Sequence, residues 1–144
     1  MQVPESVTKF IKKHHVMSVA VCDNGSPWSA TCWYAFDKEN MNLVFVSDVK
    51  TRHANSFEKN NQVAGTISNN ENRISKIKGI QFEGTVLKAE GKVETEARRL
   101  FLKRFPVSIF KELTFWVILI NTVKMTDNFV VFSSKTYWNR DICD

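Results

Sequence analysis

The sequence predicts a mainly β protein in which six or seven antiparallel strands, flanked by a few short helices, form a small closed or nearly closed barrel. Three observations lead there. The 144 residues match a single domain spanning 1–144, at the usual size of about 150 residues each. Short runs rich in Val, Ile and Phe follow one another with brief polar turns between them, which suits antiparallel meanders and not parallel βαβ units. Strands this apolar would aggregate along open edges, and closure removes the edges.

The elements follow in order. Val7, Phe10 and Ile11 recur at the spacing of one helix face, and Pro4 suits a first turn, so residues 4–13 read as a helix. Residues 15–22 are Val-rich and strand-like. Asn24-Gly25 tolerates the positive φ angles of a type I′ hairpin turn, and residues 28–36 are the return strand. That two-residue turn sets Cys22 opposite Pro27 and Cys32 opposite Met17. Residues 42–47 form a third strand and 51–60 a short helix with Ala54 and Phe57 inward. Residues 62–68 return to strand, 68–76 are polar and loop-like, and 79–89 are a fifth strand with Gly84 as a bulge or close-approach point. Residues 94–105 are the clearest helix, with acids in the first turn and bases in the last, ended by Pro106. Residues 108–113 add a further helical turn. Residues 116–123 and 128–134 are the last main strands, the second extended over 136–138.

Composition narrows the function. Hydrophobic residues make up 43% and charged residues 24%, an ordinary globular balance that excludes a disordered chain. The longest apolar run, 115–120, is far short of the ~20 residues a membrane helix needs. The first ten residues lack the pattern of a secretory signal, so the expected location is the cytoplasm. A net charge of +5 favours anionic partners in general. Cys22, Cys32 and Cys143 are odd in number and widely spaced, and form no disulfide framework. No histidine, cysteine or carboxylate set is spaced for a metal, and none is expected.

The most informative stretch is Ser47-Asp48-Val49-Lys50-Thr51-Arg52-His53, between a strand and a helix. Lys50, Arg52 and His53 crowd a helix N-terminus, where the macrodipole is already positive and cations are unfavourable unless an anion joins them. Free amides there suit phosphate, Ser47 and Thr51 add hydroxyls, and Arg52 can bond a phosphate bidentately. The segment therefore reads as a phosphate cradle. The same residues also suit a solvated basic turn with Thr51 as a plain N-cap.

The string FVSDVKTRHANSFEKNNQVAGTI (45–67) resembles the FMN-binding split-barrel superfamily, which includes pyridoxamine 5′-phosphate oxidase. Ser47 falls on that enzyme's strand-end hydroxyl. Thr51, Arg52 and His53 fall on its Ser-Arg-Lys triplet, and Asn60-Asn61-Gln62-Val63 on its Asn-Asn-Pro-x-Val strand entry. GIQFEGTVLKAEG (79–91), RFPVS (104–108) and MTDNFVVFSSKTYWNRD (125–141) extend the likeness to small single-domain bacterial members. His53 stands for a Lys and Gln62 for a Pro, and the oxidase's C-terminal Arg-x-His pair is absent near Trp138 and Arg140. Flavin binding therefore carries over better than vitamin B6 oxidation.

The resemblance implies a Greek-key split barrel that binds FMN and acts as a flavin-dependent oxidoreductase on a small molecule. It implies a phosphate held by Ser47, Lys50, Thr51, Arg52 and His53. The flavin ring would lie along the second strand at Ala30, Thr31, Cys32 and Trp33, mostly through the backbone, with Gln81 as a further partner. Cys32 and Trp33 suit barrel packing equally, Gln81 suits a solvent-facing strand position, and Trp138 suits the core or a flavin in the partner subunit. The resemblance further implies a homodimer with flavin at the interface. A side-chain-filled barrel leaves a flat ring needing a second wall, and the poorly alternating run 115–120 reads as covered by core on one face and partner on the other. Two other classes stand against this reading. A nucleic-acid-binding barrel would use the clusters at 12–15, 50–53, 73–78 and 98–104, but these are scattered and not interleaved with aromatics. A haem- or ligand-binding module would have only His14, His15 or His53 as histidine ligands.

Overall fold

The computed structural model of the chain describes residues 2–106, 112–129 and 134–141. Helix α1 (Glu5–Lys13) leads into β1 (Val16–Asp23), β2 (Ser26–Asp37) and β3 (Asn42–Val46). Helix α2 (Arg52–Lys59) crosses to β4 (Gln62–Ser68) and β5 (Lys78–Lys88). Helix α3 (Gly91–Arg104) precedes β6 (Phe115–Asp127) and β7 (Ser134–Asn139). All strand pairings are antiparallel, in the order β3-β2-β1-β4-β5-β6-β7, and β3 also pairs with β6.

That last pairing closes six strands into a ring. β6 serves it in two halves. Its Phe115–Leu119 stretch lies against β3, and from Thr122 onward the same edge lies against β7 while β5 runs along the other. This is the split-barrel arrangement that the sequence predicts.

Local chemistry fixes the register. Asn24 and Gly25 both take positive φ, 50° and 77°, and the hairpin pairs Cys22 with Pro27 and Met17 with Cys32 as expected. The β5–β6 register shifts between Glu83 and Gly84, where a Cβ on Gly84 would stand 2.5 Å from the Leu119 carbonyl oxygen. Only glycine lets the two backbones approach so closely.

Alternate residues of the strands point into the ring. Met17, Val19 and Val21 of β1 meet Ile67, Ile80, Phe82, Trp116, Ile118 and Ile120 in the main core, which also takes Phe10 and Ile11 of α1 and Ala54 and Phe57 of α2. The buried Tyr34 hydroxyl donates to the Ile11 carbonyl at 2.7 Å and fastens α1 to β2. Each such aliphatic or aromatic side chain contributes about 1.5–3 kcal/mol by leaving water.

A second cluster joins Ala97 and Phe101 of α3 to Ala35, Val44, Phe115 and Val117. It explains the weak alternation of 115–120. Trp116, Ile118 and Ile120 face the main core, while Phe115 and Val117 are covered by α3 of the same chain and not, as the sequence suggested, by a partner.

Some boundaries differ from the sequence reading. β6 runs on to Asp127, because Val123 and Met125 continue the inward row while Thr122, Lys124 and Thr126 alternate outward. Residues 128 and 129 form a turn and not the start of the strand expected over 128–134; residues 130–133 of that stretch lie outside the described residues, and β7 is described from Ser134. α3 begins three residues earlier than expected, at Gly91, and a single 3-10 turn, Ile74–Lys76, interrupts the polar loop. The helical turn expected over 108–113 falls largely outside the described residues, and residues 112–114 are not helical. Cys143 also lies outside them; Cys22 and Cys32 are free thiols.

Candidate functional site

β3 ends at Val46, and the chain turns away from the sheet at Ser47. That residue is almost fully buried. Its amide donates to the Thr114 carbonyl at 3.2 Å, and its own carbonyl accepts from the Trp116 indole N–H at 3.0 Å. The Asp48 carboxylate accepts from the Lys50 amide at 2.8 Å, and the Asp48 carbonyl accepts from the Thr51 amide and hydroxyl at 3.0 and 2.7 Å. Thr51 then caps α2, its Oγ1 accepting from the Ala54 amide at 3.3 Å. The amides of Arg52 and His53, at the start of the helix, have no intrahelical carbonyl to reach.

Ser47, Thr51 and His53 converge. The His53 Nε2 hydrogen-bonds the Ser47 hydroxyl and lies 3.3 Å from Thr51 Oγ1. The half-buried ring stands edge-on to Phe57 at 5.7 Å, and burial holds the imidazole pKa below its usual value. Desolvation penalises the charged ring, and among the described residues no neighbouring carboxylate offsets it.

Lys50 and Arg52 line a cavity of about 400 Å³ together with Asp23, Ser26, Asn55 and Lys59. Lys59 is paired with Asp23 at 3.3 Å. Among the described residues, Lys50 and Arg52 have no carboxylate partner, and the first turn of α2 holds no acid. The Arg52 guanidinium lies 4.0 Å from the centre of the Trp28 ring and reaches the Ser26 hydroxyl at 3.4 Å. Trp28 and Ser26 went unrecognised in the sequence, because they meet Arg52 only when the β1–β2 hairpin folds against α2.

β2 presents a second feature beside this cluster. It pairs with β3 from Tyr34 to Asp37, so along 26–33 the edge facing away from β1 has no strand against it among the described residues. The Tyr34 amide bonds the His15 carbonyl at 3.0 Å. Antiparallel alternation then turns the main-chain groups of Ser29, Thr31 and Trp33 toward the free edge. Thr31 and Trp33 also point their side chains outward, and Trp33 is 64% exposed. Cys32 does neither. Its side chain packs in the core, where burial raises the thiol pKa to about 11, and its backbone faces Met17. Packing is therefore the role the structure gives Cys32.

Gln81 stands elsewhere. It lines an outer groove of about 490 Å³ with Ser18, Thr66, Glu83, Lys124 and Tyr137. Thr31, Ser18, Thr66 and Gln81 form one row across β2, β1, β4 and β5, so Gln81 is about 14 Å from Thr31 at three strand spacings. Trp138 is in the core. Arg140 clasps the carbonyls of Ile120, Asn40 and Met41 at 2.9, 2.9 and 3.2 Å, so both residues hold structure and do not approach the cluster at α2. Among the described residues no helix is long and apolar enough to cross a membrane.

Comparisons with known proteins agree with this fold. A UPF0306 protein of Photorhabdus laumondii is 36% identical over 134 residues, covering 93% of this chain and 94% of its own. A haem-binding protein of Mycobacterium smegmatis superposes with a TM-score of 0.76 at 14% identity, over 96% of this chain and 60% of that one. A pyridoxamine 5′-phosphate oxidase-related, FMN-binding protein of Nostoc punctiforme superposes with a TM-score of 0.67 at 10% identity, over 88% and 81%. The family model described as pyridoxamine 5′-phosphate oxidase matches residues 3–134, which takes in the whole ring, the loop from Ser47 to His53 and the start of β7, and the chain belongs to that family.

Proposed function

We propose that the protein binds FMN and acts as a flavin-dependent oxidoreductase on a small molecule, working as a homodimer with flavin at the shared interface. One observation carries the reading: Lys50 and Arg52, without a carboxylate partner among the described residues, and the hydroxyls of Ser47 and Thr51 lie at the start of α2 beside the stretch of β2 that no described strand pairs. FMN joins a phosphate to a planar ring whose polar rim both donates and accepts hydrogen bonds. Lys50, Arg52, Thr51 and Ser47 match the phosphate, with the first amides of α2. The main-chain groups of Thr31 and Trp33 match the polar rim. Bound flavin supplies the electron and hydride transfer, and the chain's own residues orient it and exclude water.

The exposed Trp33 leaves the outer side of β2 open where a flat ring would lie, and a second copy would close it. The Nostoc relative supports the flavin assignment, and the haem-binding relative makes haem the competing ligand.

The test is titration of the purified protein with FMN and with riboflavin, alongside its visible spectrum and light scattering during size exclusion. A flavin spectrum and a dimer are expected. Arg52→Ala should weaken FMN binding about 10- to 150-fold, the loss of a charge-assisted bond of about 1.5–3 kcal/mol, and leave riboflavin binding unchanged. Equal FMN affinity in the variant overturns the phosphate assignment. A haem spectrum overturns the flavin.

A further inference from the structure

We infer that His53 makes phosphate binding proton-coupled: the imidazole is neutral in the free protein and takes up one proton as a phosphate monoester joins Ser47, Thr51 and Arg52. The inference rests on the flavin reading above and concerns the regulation of the same site. Two of its requirements are met by the geometry. His53 is tied at Nε2 to Ser47 and close to Thr51, so the ring stands among the hydroxyls that would hold the phosphate. It is also half-buried against Phe57, which itself packs on Phe45 and Trp116, so water stabilises a charge there less than at an open surface.

The charged groups around it favour the same outcome. On its own segment stand Lys50 and Arg52, both cationic, and Asp48, whose carboxylate accepts the Lys50 amide. In the cavity that Lys50 and Arg52 line, Asp23 is occupied by Lys59. β3 and β6 bring the uncharged Phe45 and Trp116 to this corner. Among the described residues, then, no carboxylate stabilises an imidazolium before a ligand arrives. A phosphate dianion within hydrogen-bond reach reverses this, because an opposite charge at close range favours the protonated ring. The balance is simple. FMN dianion, neutral His53 and one proton from solvent give a complex in which an imidazolium donates to a phosphate oxygen, and no bond to phosphorus changes.

A consequence follows for pH. A phosphate monoester has its second pKa near 6, so above about pH 7 the ligand is already a dianion and contributes no further slope. Any remaining loss of affinity with rising pH then belongs to the protein. One linked proton costs up to about tenfold in Kd per pH unit. A Lys at this position carries its charge throughout the range and takes up nothing.

The experiment is calorimetric titration of FMN at pH 7.0, 7.75 and 8.5, each in two buffers of different ionisation enthalpy, for the wild type, His53→Lys and His53→Gln. The expected wild-type result is uptake of between half and one proton and a Kd rising about three- to tenfold per unit. His53→Lys should bind FMN with no uptake and a flat profile, and His53→Gln should be flat and weaker than the wild type at pH 7.0. Wild-type binding without uptake, or a slope that persists in both variants, overturns the proton coupling alone and leaves the flavin reading intact. No FMN binding by the wild type or by His53→Lys at any pH overturns the flavin reading and this inference with it.

Discussion

Trp28 is the residue through which the fold aims Arg52, and replacing it isolates that contribution. The guanidinium lies 4.0 Å from the ring centre, with one weak further contact to Ser26 at 3.4 Å. Trp28 is 43% exposed, so the stacking energy belongs to the solvent-exposed end of the range, about 0.5–1 kcal/mol. If this stack holds Arg52 ready for a phosphate, Trp28→Leu should raise the FMN Kd about two- to fivefold. Trp28→Phe, which keeps a ring under the cation, should recover most of the loss. The effect must be confined to the phosphate, so riboflavin should bind all three proteins equally. Flavin fluorescence quenching measures the affinities, and chemical denaturation checks that the fold is intact. An unchanged FMN affinity in Trp28→Leu would refute the argument. So would equal losses for FMN and riboflavin, which would make Trp28 a general packing residue.

Three further outcomes are expected. Gly84→Ala should destabilise the fold by about 1–3 kcal/mol, since its Cβ would meet the Leu119 carbonyl oxygen at 2.5 Å and the Ile118 side chain at 2.7 Å; an unchanged urea midpoint would contradict the close approach. Iodoacetamide at pH 8 should modify the exposed Cys22 and spare Cys32, whose buried thiol has its pKa raised to about 11, as read by peptide mass spectrometry. Stability should fall as pH drops from 7 to 5: burial lowers the folded-state pKa of both His53 and His14 below the usual 6.5, so the unfolded chain binds more protons in that window, and His53→Gln should flatten part of the fall in thermal melts.

Much of the fold is legible in the sequence because its signals are local. Asn24-Gly25 fixes one hairpin and, through it, the facing of eight residue pairs. Gly84 marks the bulge because no other residue tolerates that approach. The closing pair β3–β6 is not legible, since it joins residues about seventy positions apart and depends on how far the sheet coils. The length of β6 escaped for a different reason. Its second half reads as polar, but the polar residues are the outward half of an alternation whose inward members, Val123 and Met125, fill the core. At the site, Ser47, Thr51 and His53 are readable together because seven residues span them. Parity within β2 also separates Cys32 from Thr31 and Trp33, since Cys32 shares its face with the buried Tyr34.

The two halves of the site have a single origin. β2 is 12 residues long and β3 only 5, so β2 outruns its neighbour by the stretch 26–33. The chain leaves the sheet at Ser47 because β4 must pair with β1 on the far side, and α2 carries it there. Leaving early therefore creates the open β2 edge and the N-terminus of α2 at the same corner. Exposed edges are ordinarily a liability, and this one is bordered by Arg52, Trp28 and Trp33 instead of being paired. A longer β3 would pair the edge and carry Ser47 away from His53 in one step. The site therefore depends on where β3 stops as much as on the residues that line it.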